Sequence, residues 1–223
     1  MSFFVTGTDT GVGKTLVSCA LLRGFAAAGA RVIGMKPVAA GCAAGEIHDD
    51  VRQLRAASNV AATLGQINPY CFVPAVAPHL AAQHAGVIIK FPRIVQSYRE
   101  LAGQADQVIV EGAGGFLVPL NDKQDSADLA VELGLPMILV VGMRLGCLNQ
   151  AMLTVEAIAS RGLLLAGWIA NMLDGEMAMS GQNVQALQQR INAPLLGVLP
   201  RVRLPYAWAA ACPLNLRLLE QAV

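Results

Sequence analysis

GTDTGVGKT, residues 7 to 15, is the stretch from which the rest of the chain is read. The apolar run Phe3-Phe4-Val5 brings the backbone to Gly7 as a strand, and the apolar-periodic stretch from Lys14 to Ala28 leads away as a helix. A glycine-rich turn between strand and helix aims several backbone N–H groups, and the positive end of a helix dipole, at one point. A polyphosphate binds there with little reorganisation. Lys14 adds a full charge against the outer phosphates, and the Thr15 hydroxyl is placed to ligate magnesium. The spacing departs slightly from GxxxxGK[ST]: counting back from Gly13-Lys14-Thr15, the first glycine position falls on Thr8, with the glycine one residue earlier at Gly7.

With 223 residues the chain is long enough for a substantial core and reads as one α/β domain spanning 1–223. Its 55% hydrophobic content and mean hydropathy of +0.51 raise the question of a membrane. The longest apolar runs, Leu135 to Met143 and Leu163 to Ala170, contain Pro136, Gly142 and Gly167 and fall far short of the roughly 20 residues a bilayer requires. They read instead as strands buried on both faces. No cationic segment precedes an apolar one at the N-terminus, so no cleaved leader is expected. Cys19, Cys42, Cys71, Cys147 and Cys212 are odd in number, widely spaced and free of CxxC, which predicts neither a disulfide framework nor a zinc site. A reducing cytoplasm fits this pattern. The net charge of +1 and 14% charged content show no basic stripe, so neither nucleic acid nor an anionic membrane is an expected partner.

Further along, Arg31 to Val38 predicts a second strand closed by Pro37, and His48 to Ala57 a short helix. Asn59 to Gly86, with Pro69, Pro74 and Pro78, shows little periodicity. Helices follow at Pro92 to Gly103, at Ser126 to Leu133 with a Ser cap, at Cys147 to Ser160 and at Gln182 to Ile191. Strands fall at Gln107 to Glu111, Met137 to Val141, Leu164 to Asn171 and Leu195 to Leu199. Strands alternating with helices imply a mostly parallel sheet flanked by helices on both faces, a P-loop NTPase-like α/β fold. Ligands of such sheets lie beyond the carboxyl ends of the strands. The segments to interrogate are therefore residues 7–15, 36–41, 111–115 and 142–146, with Asn171 and Pro200.

Lys36 ends the second strand, beside the loop in a parallel sheet, and a lysine in an apolar segment requires an anionic partner. The position also suits a solvent-exposed strand-end lysine. Glu111 closes a buried strand at the phosphate end of the sheet, where a carboxylate can hold magnesium directly or through water. Asp50 is the other candidate; it could instead cap the short helix, and Asp49 competes for either role.

GTDTGVGKT, KPVAAG at 36 to 41, EGAGG at 111 to 115, VGMRLGCLNQAMLT at 141 to 154 and AGWIAN at 166 to 171 resemble dethiobiotin synthetase, in order and over residues 2 to 200. The resemblance implies an ATP- and Mg2+-dependent cyclo-ligase of biotin synthesis, a homodimer that joins CO2 to 7,8-diaminononanoate at the subunit interface. Carried over, the nucleotide loop is Gly11, Val12, Gly13, Lys14, Thr15 and Leu16, and the magnesium ligands are Thr15, Asp50 and Glu111. Lys36 and Lys14 are the catalytic cations. Gly112, Ala113 and Gly114 touch nucleotide and substrate, and Thr10 and Ala40 also face the substrate. Gly146, Cys147 and Asn149 form the patch that the other subunit offers to the substrate carboxylate; a glycine before a helix start exposes N–H donors suited to that group. Asn171 has a donor and an acceptor for a purine edge, and Pro200, Arg201 and Val202 complete the nucleotide contacts.

Several residues depart from the pattern. Ala40 stands where relatives often have a hydroxyl residue, and Gly11 where some have an acid. Pro78-His79 also resembles the family, although the residues alone fit His79 equally to a packed core. Asn171-Met172-Leu173-Asp174 has the spacing of a guanine-reading Asn-x-x-Asp element but lacks its lysine. A switch-type ATPase of the partition or septum-positioning class would carry a lysine near the loop start, where this chain has Asp9. A cobyrinate-type amide synthetase would require an added glutaminase domain.

Overall fold

The computed structural model describes residues 2–43, 45–173, 177–201 and 214–220. Six parallel strands form its main sheet: β1 (Phe3–Gly7), β2 (Val32–Met35), β5 (Gln107–Glu111), β6 (Met137–Met143), β7 (Leu165–Met172) and β8 (Leu195–Leu199). Their spatial order is β2-β5-β1-β6-β7-β8. A separate parallel ribbon pairs β3 (Val38–Ala40) with β4 (Tyr70–Phe72).

Side chains alternate across a strand, so each apolar run supplies two cores. Phe3, Val5, Ile109, Ile138, Val140 and Ile169 face a cluster built with Leu21 and Leu22 of α1 (Lys14–Ala27) and Leu54 of α2 (Asp49–Ala57). Phe4, Val108, Val110 and Met137 face the other side, against α5 (Phe91–Ala102) and α6 (Ser126–Leu133). Leu139, Val141, Trp168 and Ala170 continue that side toward α7 (Cys147–Ser160) and α8 (Ser180–Gln188). The apolar runs that raise the question of a membrane are thus sheet interior. Among the described residues no helix is long and apolar enough to cross a bilayer.

The structure departs from the sequence reading in several places. The expected strand 31–38 breaks after Met35, because Lys36 and Pro37 turn the chain out of the main sheet into β3. β2 is not beside β1: β5, which enters later in the chain, occupies the position between them. Lys36 is therefore next to the strand of Glu111, one strand removed from the phosphate loop. The unreadable segment 59–86 holds α3 (Leu64–Ile67), β4 and α4 (Pro78–His84), elements too short to show a period. Helix 182–191 lies two or three residues earlier, at Ser180–Gln188. Asp125, rather than Ser126, caps α6 in a reciprocal box with Asp128. The Ser126 hydroxyl instead donates to the Phe116 carbonyl and accepts from the Val118 N–H, securing the chain beyond the glycine-rich turn. Cys42 and Cys71 form a disulfide, contrary to the expectation of reduced thiols, because β3 and β4 bring together two positions 29 residues apart.

Helix-to-sheet contact is tightest at Gly34, where an added Cβ would lie 2.9 Å from Leu22 Cδ1 and 2.9 Å from Leu54 Cβ. Gly34→Ala must turn the Leu22 side chain aside and shift α2 at Leu54, and is expected to lower unfolding free energy by about 1–3 kcal/mol. Denaturant titration measures this, and an unchanged midpoint would show that both give way freely.

Candidate functional site

α1 begins without a side-chain cap. Its N-cap is Gly13 at φ 92°, and no side chain bonds to its first N–H groups. By contrast, α3 and α6 carry complete capping boxes. A side-chain cap on α1 would occupy the donors that an anion requires. Gly13 is obligatory twice over: its φ is left-handed, and an added Cβ would meet the Asn171 amide nitrogen at 2.2 Å. That Asn171 nitrogen, at the buried end of β7, donates to the Val12 carbonyl at 2.8 Å and so fixes the loop from behind.

Lys36, Asp50, Glu111 and Thr15 converge. The Lys36 ammonium lies 2.5 Å from Glu111 Oε1 and 2.9 Å from Asp50 Oδ2, and donates to the Gly112 carbonyl at 3.3 Å. Thr15 Oγ1 donates to the same Glu111 oxygen at 2.8 Å. Lys36 and Glu111 are 6% and 1% exposed at their side chains, so the solvent-exposed alternative for Lys36 does not hold. Burial alone would lower the pKa of Lys36, but the charges of Glu111 and then Asp50 outweigh it and raise the value. For Asp50, burial raises the pKa and Lys36 more than reverses it.

The choice between Asp49 and Asp50 is decided by His48. Its Nδ1 accepts from the Asp50 N–H at 3.2 Å and caps α2, which leaves the Asp50 carboxylate for Lys36. Asp49, one residue earlier, points to Gln53 and Arg52 on the surface.

Other supports were not legible from the sequence. Asn68, buried, donates through Nδ2 to the Lys36 carbonyl at 2.6 Å, and Ile67 O accepts the Lys36 N–H at 2.9 Å. Both backbone polar groups of Lys36 are thereby fixed by a segment without periodicity; the dipeptide Asn68-Pro69 marks only a turn. The Asp9 carbonyl accepts from Lys14 Nζ at 3.0 Å, and its carboxylate pairs with Arg144.

Thr10, Gly11, Gly13, Lys14, Thr15, Lys36, Ala40, Asp50, Glu111, Ala113 and Gly114 all border one cavity of about 850 Å³. The rest of its lining, apart from His48, is apolar: Val38 and Ala39, residues 75–78 and residues 117–119. Val12 is buried beneath the loop, Leu16 packs into the α1 core, and Gly112 contributes its carbonyl. Pro200 and Arg201 are exposed just past β8, whose Leu199 is in register with Asn171. Val202 and Asp174 lie outside the described residues. Gly146, Cys147 and Asn149 do not line this cavity. Gly146, at φ 95°, starts α7 without a side-chain cap, Cys147 is buried and Asn149 is exposed. His79 borders a second groove of about 700 Å³, away from the phosphate loop, with its Nδ1 buried and unpartnered.

The donor set suits magnesium. Glu111 Oε2 is buried without a hydrogen-bond partner, beside the Thr15 hydroxyl and the Asp50 carboxylate. Among the described residues no three His, Cys, Asp or Glu side chains converge on a metal position. Magnesium needs no such cage: one or two carboxylates plus phosphate and water are its usual shell.

Comparison with known proteins gives a consistent result. The family described as AAA domain matches residues 1–205. The ATP-dependent dethiobiotin synthetase BioD of Nitrosospira multiformis is 59% identical over 89% of this chain and 87% of its own length. The enzyme of that name from Aromatoleum aromaticum is 57% identical over 90% and 91%. The septum site-determining protein MinD of Pyrococcus horikoshii, solved with Mg-ADP, superposes with a TM-score of 0.56 at 17% identity, covering 100% of this chain and 93% of that one. That likeness speaks for the fold alone.

Lys14 is buried beside Lys36. Burial, followed by the Lys36 charge, lowers its pKa from 10.5 to about 8, against Glu111, Asp50 and Asp9. A bound triphosphate favours the charged form, so binding above pH 8 must draw in a proton. Affinity for ATP is expected to fall by up to about tenfold per pH unit above pH 8 and to level off below pH 7. Calorimetry in buffers of different ionisation heat reads the proton uptake; none at pH 8.5 would assign the phosphate contact to another group.

Proposed function

The chain belongs to the dethiobiotin synthetases, and on that premise we propose that it carboxylates 7,8-diaminononanoate with CO2 and closes the ring at the expense of ATP. The products are dethiobiotin, ADP and phosphate. The observation that carries this reading is the convergence of Lys14, Thr15, Lys36, Asp50 and Glu111 on one cavity whose remaining lining is mostly apolar. The charged side suits the reacting amines, carbamate and phosphates, and the apolar side suits an aliphatic chain.

One amine of the substrate takes up CO2 as a carbamate. A carbamate oxygen attacks the γ-phosphate of ATP, ADP leaves, and the second amine then displaces phosphate to form the cyclic urea. Each step gathers negative charge, and cations fixed in advance lower its cost. Lys14 serves the phosphates from the loop. Lys36 serves the carbamate and the transferring phosphoryl group, aligned through its backbone by Asn68 and Ile67. Thr15, Asp50 and Glu111 would hold a magnesium ion, which supplies charge screening of the outer phosphates. With Ala40 lacking a hydroxyl, the backbone of residues 38–40 is left to meet the substrate.

Asn171, Pro200, Arg201 and Val202 are assigned to the base. Met172 in place of a lysine favours adenine over guanine. Gly146, Cys147 and Asn149 lie outside their own chain's cavity, as a patch given to a partner's substrate carboxylate would, and Leu145 beside them is 98% exposed. This supports a homodimer with substrate at the interface. Residues 1–223 act as a single catalytic unit in the cytoplasm. A switch-type ATPase is not favoured, since sequence relationship places the chain with the ligases and Asp9, paired to Arg144, stands where such proteins have a lysine.

Lys36→Gln is expected to lower kcat by about 100- to 1,000-fold while the Kd for ATP changes little; near-normal turnover would remove Lys36 from the mechanism. ATP hydrolysis is expected only with both bicarbonate and the diamine, and GTP should compete poorly. Hydrolysis stimulated by lipid or DNA instead would establish the switch-type reading. Glu111→Gln is expected to shift the magnesium titration to higher concentration, and an unchanged curve would place the ion elsewhere.

A further inference from the structure

The disulfide between Cys42 and Cys71 ties together two segments whose neighbours, Val38 to Ala40 and residues 75–78, line the reaction cavity, and no catalytic role above uses either sulfur. The β3–β4 ribbon that it joins is three residues long on each side and has no third strand among the described residues. Ala39 faces Cys71 and Ala40 faces Phe72 across it, and the N–H groups of Gly41 and Cys42 both donate to Phe72 O, at 3.0 and 3.1 Å. Both arms of the ribbon lead into the cavity: β3 lines it directly, and the chain leaving β4 lines it with residues 75–78. Val38, Tyr70 and Phe72 pack the ribbon into the core, whereas the chain leaving β4 toward the cavity carries exposed Val73 and Val76, so few contacts there offset the entropy of ordering it. Cys71 is exposed, whereas Cys42 is buried behind it. A small reagent therefore reaches one sulfur while the other waits beneath.

We propose that Cys42 and Cys71 form a thiol–disulfide exchange site for a low-molecular-weight disulfide of the glutathione class, and that the state of the pair sets how firmly the diamine side of the cavity is formed. The Cys71 thiolate attacks one sulfur of the small disulfide, releasing one thiol and leaving a mixed disulfide. The Cys42 thiolate then attacks the Cys71 sulfur and expels the second small thiol. Two protein thiols are oxidised, one small disulfide is reduced, and the two cysteine protons end on the two released thiols. Two small thiols reverse the sequence.

With the bond closed, residues 73–78 are held beside the cavity. With it open, that segment keeps its position for only part of the time, and apparent substrate affinity falls by that fraction. A segment in place for about a tenth to a third of the time raises the KM for the diamine roughly three- to tenfold. The phosphate loop belongs to β1 and α1 and not to the ribbon, so ATP affinity is indifferent to the bond. This rests on the ligase reading above for its substrate but not for its chemistry.

The test equilibrates the full chain with excess reduced or oxidised glutathione. Differential alkylation with peptide mapping should find residues 42 and 71, and no other pair, protected in the oxidised sample. Amide exchange should be slower across residues 70–78 in that sample, the diamine KM lower by the factor above, and the Kd for ATP the same within about twofold. Cys42→Ser and Cys71→Ser should each hold the KM at the reduced value in either glutathione. Free thiols at 42 and 71 after oxidised glutathione, or equal exchange rates and KM in the two forms, would overturn the proposal. Absence of turnover in both forms with the mapped bond intact would count against the ligase reading instead.

Discussion

A lysine ammonium clamped between two carboxylates, in a place water hardly reaches, is the constraint on which this site depends. Lys36 satisfies Glu111 and Asp50 at once, and Thr15 adds its hydroxyl to the shared oxygen. Removing Lys36 leaves Glu111 buried without its cation, which costs far more than the pair itself is worth. The geometry therefore holds three otherwise independent pieces in register: the end of β2, the start of α2 and the end of β5. It also keeps the site close to neutral until phosphates arrive, with Lys14 and Lys36 balanced by Asp50 and Glu111.

Strand order is what makes the clamp possible. β1 runs through α1 to β2 and leaves a vacancy that β5 later fills, so Glu111 stands between the Lys36 turn and the phosphate loop. Two cations from non-adjacent strands thus border one cavity through an intervening carboxylate. The loop itself is kept receptive by omission: α1 has no side-chain cap, and Gly13 gives Asn171 room to fix Val12 from behind. α3 and α6, by contrast, close their first turns with reciprocal caps, which leave no such donors free.

The segment from Asn59 to Gly86 shows where pattern reading stops. Its pieces are three to seven residues long, shorter than a helical or strand period needs to declare itself. Yet it supplies Asn68, which fixes the Lys36 backbone, and Cys71, which joins Cys42. The odd count and wide spacing of the cysteines predict free thiols, because spacing along a chain carries no information about two positions 29 residues apart that a parallel ribbon sets side by side. His48 is similar. As an N-cap it decides which of two adjacent aspartates turns inward, and nothing in the run His48-Asp49-Asp50 ranks the alternatives.

What the sequence determined by itself was local in origin: the strand–turn–helix of residues 3 to 28, the alternation of buried strands with helices, and the residue types able to handle phosphate. These follow from periodicity, glycine chemistry and charge, each of which acts within a turn or two of the chain. Only the tertiary structure decided that β5 separates β2 from β1, that Glu111 and Asp50 share Lys36, and that Cys42 meets Cys71. Those outcomes depend on which apolar faces bury one another, a global minimisation of exposed surface and unpaired charge that no single segment encodes.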